Sequence, residues 1–162
     1  MSVHANGDDY WQKTSKGTVR ERCQAIFNQE LLSDVKFAVC NFQAGSESKT
    51  IPAHKFVLAI SSPVFYAMFY GELAETKDVV EITDCDYEGL LECLRFIYSD
   101  EAKLTPDNVM QLMYLAKKYM LPSLADNALS TSKIIWTPQT CLTYYQKHRS
   151  MKKWICCIIA GK

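Results

Sequence analysis

At 162 residues, with 48% hydrophobic and 22% charged side chains, the chain has the length and make-up of one globular domain with extensions, which sets aside the disordered, collagen-like and membrane-embedded classes. Its 18 acidic and 18 basic residues cancel, yet every Asp and Glu lies between Asp8 and Asp126 while six of the Lys and Arg follow Ser130, so an acidic body precedes a basic tail. That body lacks the Lys/Arg stripe that displaces counterions from phosphates, so nucleic acid is not an expected partner.

Residues 1–17 are polar and read as a flexible N-terminal arm. From Thr18, the run TVRERCQAIFNQELLSD sets Val19, Cys23, Ile26, Phe27 and Leu31 at helical spacing, an apolar stripe on a charged helix that needs a partner surface. DVKFAV then alternates, with Val35, Phe37 and Val39 on one face of a half-buried strand, and KTIPA resumes an extended segment after a turn-rich connection; the two form a hairpin. HKFVLAI predicts a short helix. Ser62–Pro63 supplies an N-cap and a first-turn proline for a second one, which carries Phe65, Met68 and Phe69 on its core face and ends at Gly71 in a left-handed exit.

VVEI is a brief β-branched strand, and TDCD offers capping carboxylates to a helix bearing Leu90, Leu91, Leu94, Ile97 and Tyr98. Thr105–Pro106 repeats the cap-plus-proline device for a helix with Val109, Leu112, Met113, Ala116 and Met120 on one face and Lys117 and Lys118 near its C-terminal end, where cations suit the dipole. Pro122 ends that helix and opens PSLADNAL. The expected class is α+β: a small three-stranded sheet flanked by a cluster of short helices.

Seven irregularly spaced cysteines without a secretory leader read as reduced thiols of a cytoplasmic protein, possible also in the nucleus. There is no C-x-x-C pair to seat a tetrahedral zinc and no Gly-rich phosphate loop, so neither metal nor cofactor is expected. A hydrolase would use Ser61 or Ser62 as nucleophile, His54 as base and Asp34 to orient it. Against it, no G-x-S-x-G elbow is present and Ser62 has a use as a cap, so the chain is read as carrying no catalytic site. His54 is read as a brace against the sheet, and Glu72 and Glu75 as a solvated face.

The ordered run LLSDVKF, IPAHKFVLAISSPVFYAMF, VVEI, LLECLRFIYSD and MYLAKKYMLPSLA, about Leu31 to Leu129, resembles the BTB/POZ domain, and YWQKTSKGTVRERCQAIFNQE upstream is similar to the subgroup that joins it to a BACK and a PHR domain. The resemblance places the domain at 18–129. It implies a protein–protein module that homodimerises, or pairs with related BTB proteins, through the helix of Val19 to Leu32 and the start of HKFVLAI, with Ile26, Phe27, Leu31, Leu58 and Ala59 as contact candidates. It further implies docking of the cullin-3 scaffold of a ubiquitin ligase through Leu73-Ala74-Glu75, bordered by Phe69 and Tyr70. Asp34 and Lys55 match a charged pocket near the dimer interface of transcription-repressor members. A role in transcriptional regulation is the alternative reading, as is a truncated or spliced form that competes with full-length adaptors.

Beyond Leu129 the pattern stops, and residues 130–162 read as a divergent, poorly ordered basic tail holding three of the seven cysteines, with a short helix possible at Thr137–Pro138. WICCIIA is too short to span a bilayer and Lys162 rules out a prenylation box, so no membrane partner is expected beyond lipidation of Cys156 and Cys157.

Overall fold

The structure, a computed structural model, describes residues 17–39 and 49–135. In chain order the elements are α1 (Val19–Ile26), β1 (Val35–Val39), β2 (Lys49–Ala53), α2 (Lys55–Ser61), α3 (Pro63–Tyr70), β3 (Val79–Ile82), α4 (Tyr87–Ser99), α5 (Val109–Lys118) and α6 (Pro122–Ile135). The α+β class and the three-stranded sheet stand as expected. The connection at 40–48, the arm before Gly17, the helix at Thr137–Pro138 and the Cys156–Cys157 pair lie outside the described residues.

The sheet runs β2-β1-β3. β1 and β2 pair antiparallel with Phe37 opposite Ile51, while β1 and β3 pair parallel with Phe37 opposite Val80. A parallel partner cannot be reached by a tight turn, so α2 and α3 fill the crossover. Val35, Phe37 and Val39 are buried as the alternation predicts, and Ala38 is buried too, a small side chain on the middle strand.

An aromatic spine joins sheet to helices. Phe65 stacks on Tyr119 with ring centroids 4.3 Å apart, and Phe37 and Phe69 lie 5.9 and 6.1 Å from Phe65. Leu58, Leu90, Leu94, Leu112, Leu115 and Leu124 close the core around it. Burial at about 25 cal/mol per Å² of apolar surface makes this cluster the main source of stability.

The caps explain where the elements begin. The Ser62 hydroxyl accepts from the Phe65 N–H at 3.2 Å and donates to the Tyr119 carbonyl at 2.6 Å, so the predicted cap also fastens α3 to the end of α5. Asp86 caps α4 through the Gly89 N–H at 2.7 Å. Thr18 and Glu21 form a capping box on α1.

Five expectations change. The first helix stops at Ile26 rather than running to Leu32, because Phe27 is extended and Asn28 turns left-handed at φ 54°. Gly71 is not a left-handed exit: its φ is −76°, and the glycine is there because a Cβ would lie 2.4 Å from the Ala67 carbonyl oxygen. Thr105–Pro106 opens a turn instead of α5 itself, with Asn108 Oδ1 accepting from the Thr105 N–H at 2.8 Å and the helix beginning at Val109. Met120 leaves the α5 face: it sits past the helix at φ 51°, 58% exposed. There Leu121 N–H bonds the Ala116 carbonyl and Met120 N–H that of Lys117, a Schellman close. The segment opened by Pro122 is a full helix that continues past Leu129 to Ile135.

Candidate functional site

The residues of the hypothetical hydrolase are all otherwise engaged. His54, 6% exposed, bonds the Leu31 carbonyl through Nε2 at 2.7 Å and the Tyr98 hydroxyl through Nδ1 at 2.8 Å. A carbonyl only accepts, so Nε2 carries the proton. The Tyr98 hydroxyl takes the His54 backbone N–H at 2.9 Å and is left to donate to Nδ1, which satisfies the whole set; burial pushes the Tyr98 phenol up. The imidazole therefore braces the start of α2 against α4 and the chain after α1. Ser61 donates to the Val57 carbonyl, Ser62 is the cap described above, and Asp34 accepts the Lys55 N–H at 2.7 Å. These contacts leave no serine–histidine bond with which to activate a nucleophile.

That Asp34 contact brings the two residues of the expected charged pocket together within one chain. Asp34 is exposed and meets Lys55 through the backbone, as a cap on α2, while the Lys55 ammonium lies over the Phe69 ring at 5.8 Å. No buried Asp34–Lys55 ion pair is formed. Another cleft, about 590 Å³, lies between α4, the chain after it and α6. Its Arg95 is tied to Glu92 and its Glu101 to Arg20, so these charges serve to join elements.

Two exposed apolar areas remain. On α2, Leu58 is fully buried and Ala59 is 9% exposed, so both face the chain's own core; Leu58 has no surface left for a second chain. Phe56 and Ile60, 66% and 68% exposed, stand a turn apart on the outward face, a pair that sequence reading overlooked although their i, i+4 spacing was visible. Ile26, Phe27 and Leu31 are half-buried; Phe27 packs on Tyr98 at 5.5 Å beneath the Arg95 guanidinium. Val19 and Leu32 are exposed beside them. No side chain of α1 is fully buried.

The second area is the end of α3 and the chain after it. Phe69, at 7% exposure, belongs to the core and not to a docking surface. Tyr66 and Tyr70 stack a turn apart on the outside at 59% and 51% exposure, and Leu73 is 96% exposed. Glu75 is half-buried: its N–H bonds the Met68 carbonyl at 2.8 Å and its carboxylate accepts the Lys77 N–H at 3.1 Å, which fixes the turn that holds Leu73 outward. Sequence spacing named Tyr70, Leu73 and Glu75 but did not separate the exposed Tyr66 from the buried Phe65.

Cys85 and Cys93 are buried free thiols and Cys23 a half-buried one; burial pushes the Cys85 thiol up to about 12. No group of His, Cys, Asp and Glu among the described residues could hold a metal ion, and none of their helices is long and apolar enough to cross a membrane.

Comparison with known proteins gives a consistent picture. The family model described as the BTB/POZ domain matches residues 23–132. BTB/POZ domain-containing protein 6 of Xenopus laevis is 49% identical over 118 residues, which is 71% of this chain and 22% of the relative. The human protein 6 is 48% identical over the same share of this chain and 21% of its own length, and protein 3 of Mus musculus 46% identical over 71% and 22%. The chain thus spans about a fifth of the length of the curated relatives it matches. Among solved structures, the BTB domain of zebrafish PATZ1 superposes with a TM-score of 0.50 at 26% identity, covering 62% of this chain and 75% of that one.

Proposed function

The chain belongs to the BTB/POZ domain family, a family of protein-interaction modules, and from that premise we propose that it pairs with a second BTB chain through α1 and α2 and docks the cullin-3 scaffold of a ubiquitin ligase at Tyr66, Tyr70 and Leu73. The exposed Leu73 carries the second part. A side chain left 96% in water, on a turn that Glu75 holds in place and beside two stacked tyrosines, supports a role as an anchor for an apolar pocket on another protein. Burying such a leucine contributes roughly 1.5–3 kcal/mol, and tyrosines add apolar area with a polar tip at little entropic cost.

The test is a pull-down with purified cullin-3. Leu73→Ala and Tyr70→Ala should each weaken binding at least about tenfold, equivalent to about 1.4 kcal/mol, while leaving the unfolding midpoint unchanged because neither side chain is in the core. Glu75→Ala should weaken binding by loosening the turn. Wild-type affinity in all three variants would reject the scaffold reading.

A further inference from the structure

The chain from Glu72 to Glu88 holds seven carboxylates against one lysine, Lys77. Three of them are committed: Asp84 pairs with Lys118 at 2.8 Å, Asp86 caps α4, and Glu75 accepts the Lys77 N–H. Glu72, Asp78 and Glu81 are exposed and form no ion pair among the described residues. Glu81 lies on β3, an edge strand whose Val79 is 43% exposed, Asp78 immediately precedes it, and Glu72 sits between Tyr70 and Leu73 of the exposed strip that Tyr66 begins. In chain order the exposed side chains of this stretch therefore run from apolar to acidic.

The complement is in the same chain. No acidic residue follows Asp126, and beyond the described residues Lys147, Arg149, Lys152 and Lys153 lie among Tyr144, Tyr145, Trp154 and Ile155. We propose that this basic, aromatic segment, residues 144–155, docks on its own domain along the β3 edge, its cations on Glu72, Asp78 and Glu81 and its apolar side chains on Tyr66, Tyr70 and Leu73. Reach is sufficient: the residues between Ile135 and Tyr144 span up to about 30 Å at roughly 3.3 Å each, more than twice the radius of gyration of about 13 Å of a 100-residue domain. Opposite charges on the two surfaces steer the encounter and set its direction. A docked tail covers the strip assigned to the scaffold, so a scaffold has to displace it. The docking does not depend on that assignment, since it needs no second protein.

Zero-length carbodiimide crosslinking of the full chain, in a mixture of unlabelled and ¹⁵N-labelled protein, tests it. Amides joining Lys147, Lys152 and Lys153 to Glu72, Asp78 and Glu81 are expected within single chains. They should be lost in 1 M salt, where the Debye length falls to about 3 Å, and in the variant Lys147→Glu, Arg149→Glu, Lys152→Glu, Lys153→Glu. They should return when that variant is combined with Glu72→Lys, Asp78→Lys and Glu81→Lys. Tail lysines coupled to other carboxylates or to none, products that join labelled to unlabelled chains, or failure of the reciprocal swap would overturn the proposal. Glu72, Asp78 and Glu81 are exposed, so their exchange leaves the core untouched, and cullin-3 is absent, so the outcome is separate from that of the pull-down.

Discussion

Gly71 and Met120 invert the usual distribution of glycine. Gly71 ends α3 in an extended conformation open to any residue, but its α-carbon passes so close to the Ala67 carbonyl that a methyl group has no room. Gly71→Ala is expected to force the end of α3 apart and cost roughly 1–3 kcal/mol, the usual range for overpacking against atoms that cannot yield. Met120 does the opposite. It occupies the left-handed position of a Schellman close, at φ 51°, with a side chain that is mostly in water. A side chain there costs about 1–2 kcal/mol of backbone strain, so Met120→Gly should raise stability by about 0.5–1 kcal/mol after the added freedom of the unfolded chain is discounted. Urea unfolding of the two variants reads both signs at once: the midpoint falls for Gly71→Ala and rises for Met120→Gly. The glycine at 71 was legible as a helix end. Its reason was not, because a close approach between backbone atoms leaves no trace in spacing. Met120 was misread for a related cause: it continues the i, i+4 rhythm of α5 beyond a turn that its own backbone makes.

Between elements, polar contacts decide more than periodicity shows. Asp84 lies in the chain between β3 and α4 and reaches α5 twice, through the Lys118 ammonium and the Tyr114 hydroxyl. Burial raises its pKa, but the hydrogen bonds from Lys118 and Tyr114 and the Lys118 charge outweigh that and hold the carboxyl below its ordinary value; the same bond pushes the Tyr114 phenol up to about 12. A carboxyl whose folded pKa lies below the unfolded one, about 3.9, adds stability in full above the unfolded value and loses it as pH falls through the folded one. Asp84→Asn should therefore be less stable than wild type at pH 7, by a modest amount for so exposed a pair, with the gap closing below about pH 4; unfolding curves at pH 7 and pH 3 measure it. Among the described residues, the six helices and three strands were mostly legible because apolar spacing and Ser/Thr/Asp caps are local signals. α1 was drawn too long because Phe27 and Leu31 keep helical spacing, although Asn28, a residue tolerant of left-handed backbone, breaks the helix between them. The parallel pairing of β1 with β3 had no local signal at all. It follows from a crossover, which is a property of the assembled chain.

For the molecule as a whole, the exposed apolar side chains sort by the element they sit on. α1 has eight residues, well short of the roughly 12–15 that an isolated helix needs, and none of its side chains is fully buried. Within the chain it is fastened by Arg20, which donates to the Ser99 carbonyl at 2.6 Å and pairs with the exposed Glu101, and by Phe27 just after it. The bond from His54 to the Leu31 carbonyl sets the segment after α1 beside the start of α2, so Val19 and Leu32 on one side and Phe56 and Ile60 on the other offer apolar area left exposed among the described residues. A second copy turned about a two-fold axis would present the same four side chains to the same four. Stable interfaces bury about 1,200–2,000 Å² in total, the scale of area that such a pairing has to reach. Sedimentation of the 18.5 kDa chain at micromolar concentration should then give twice the chain mass. Phe56→Ser with Ile60→Ser should return it to the single mass while helicity is kept, since both residues lie outside the core. Leu58→Ala separates this from a loss of fold. Leu58 is buried in its own chain, so its truncation should cost about 2–5 kcal/mol of unfolding free energy and weaken pairing only as the monomer unfolds. A wild-type chain that sediments at the single mass throughout the micromolar range would mean that these side chains await a different partner.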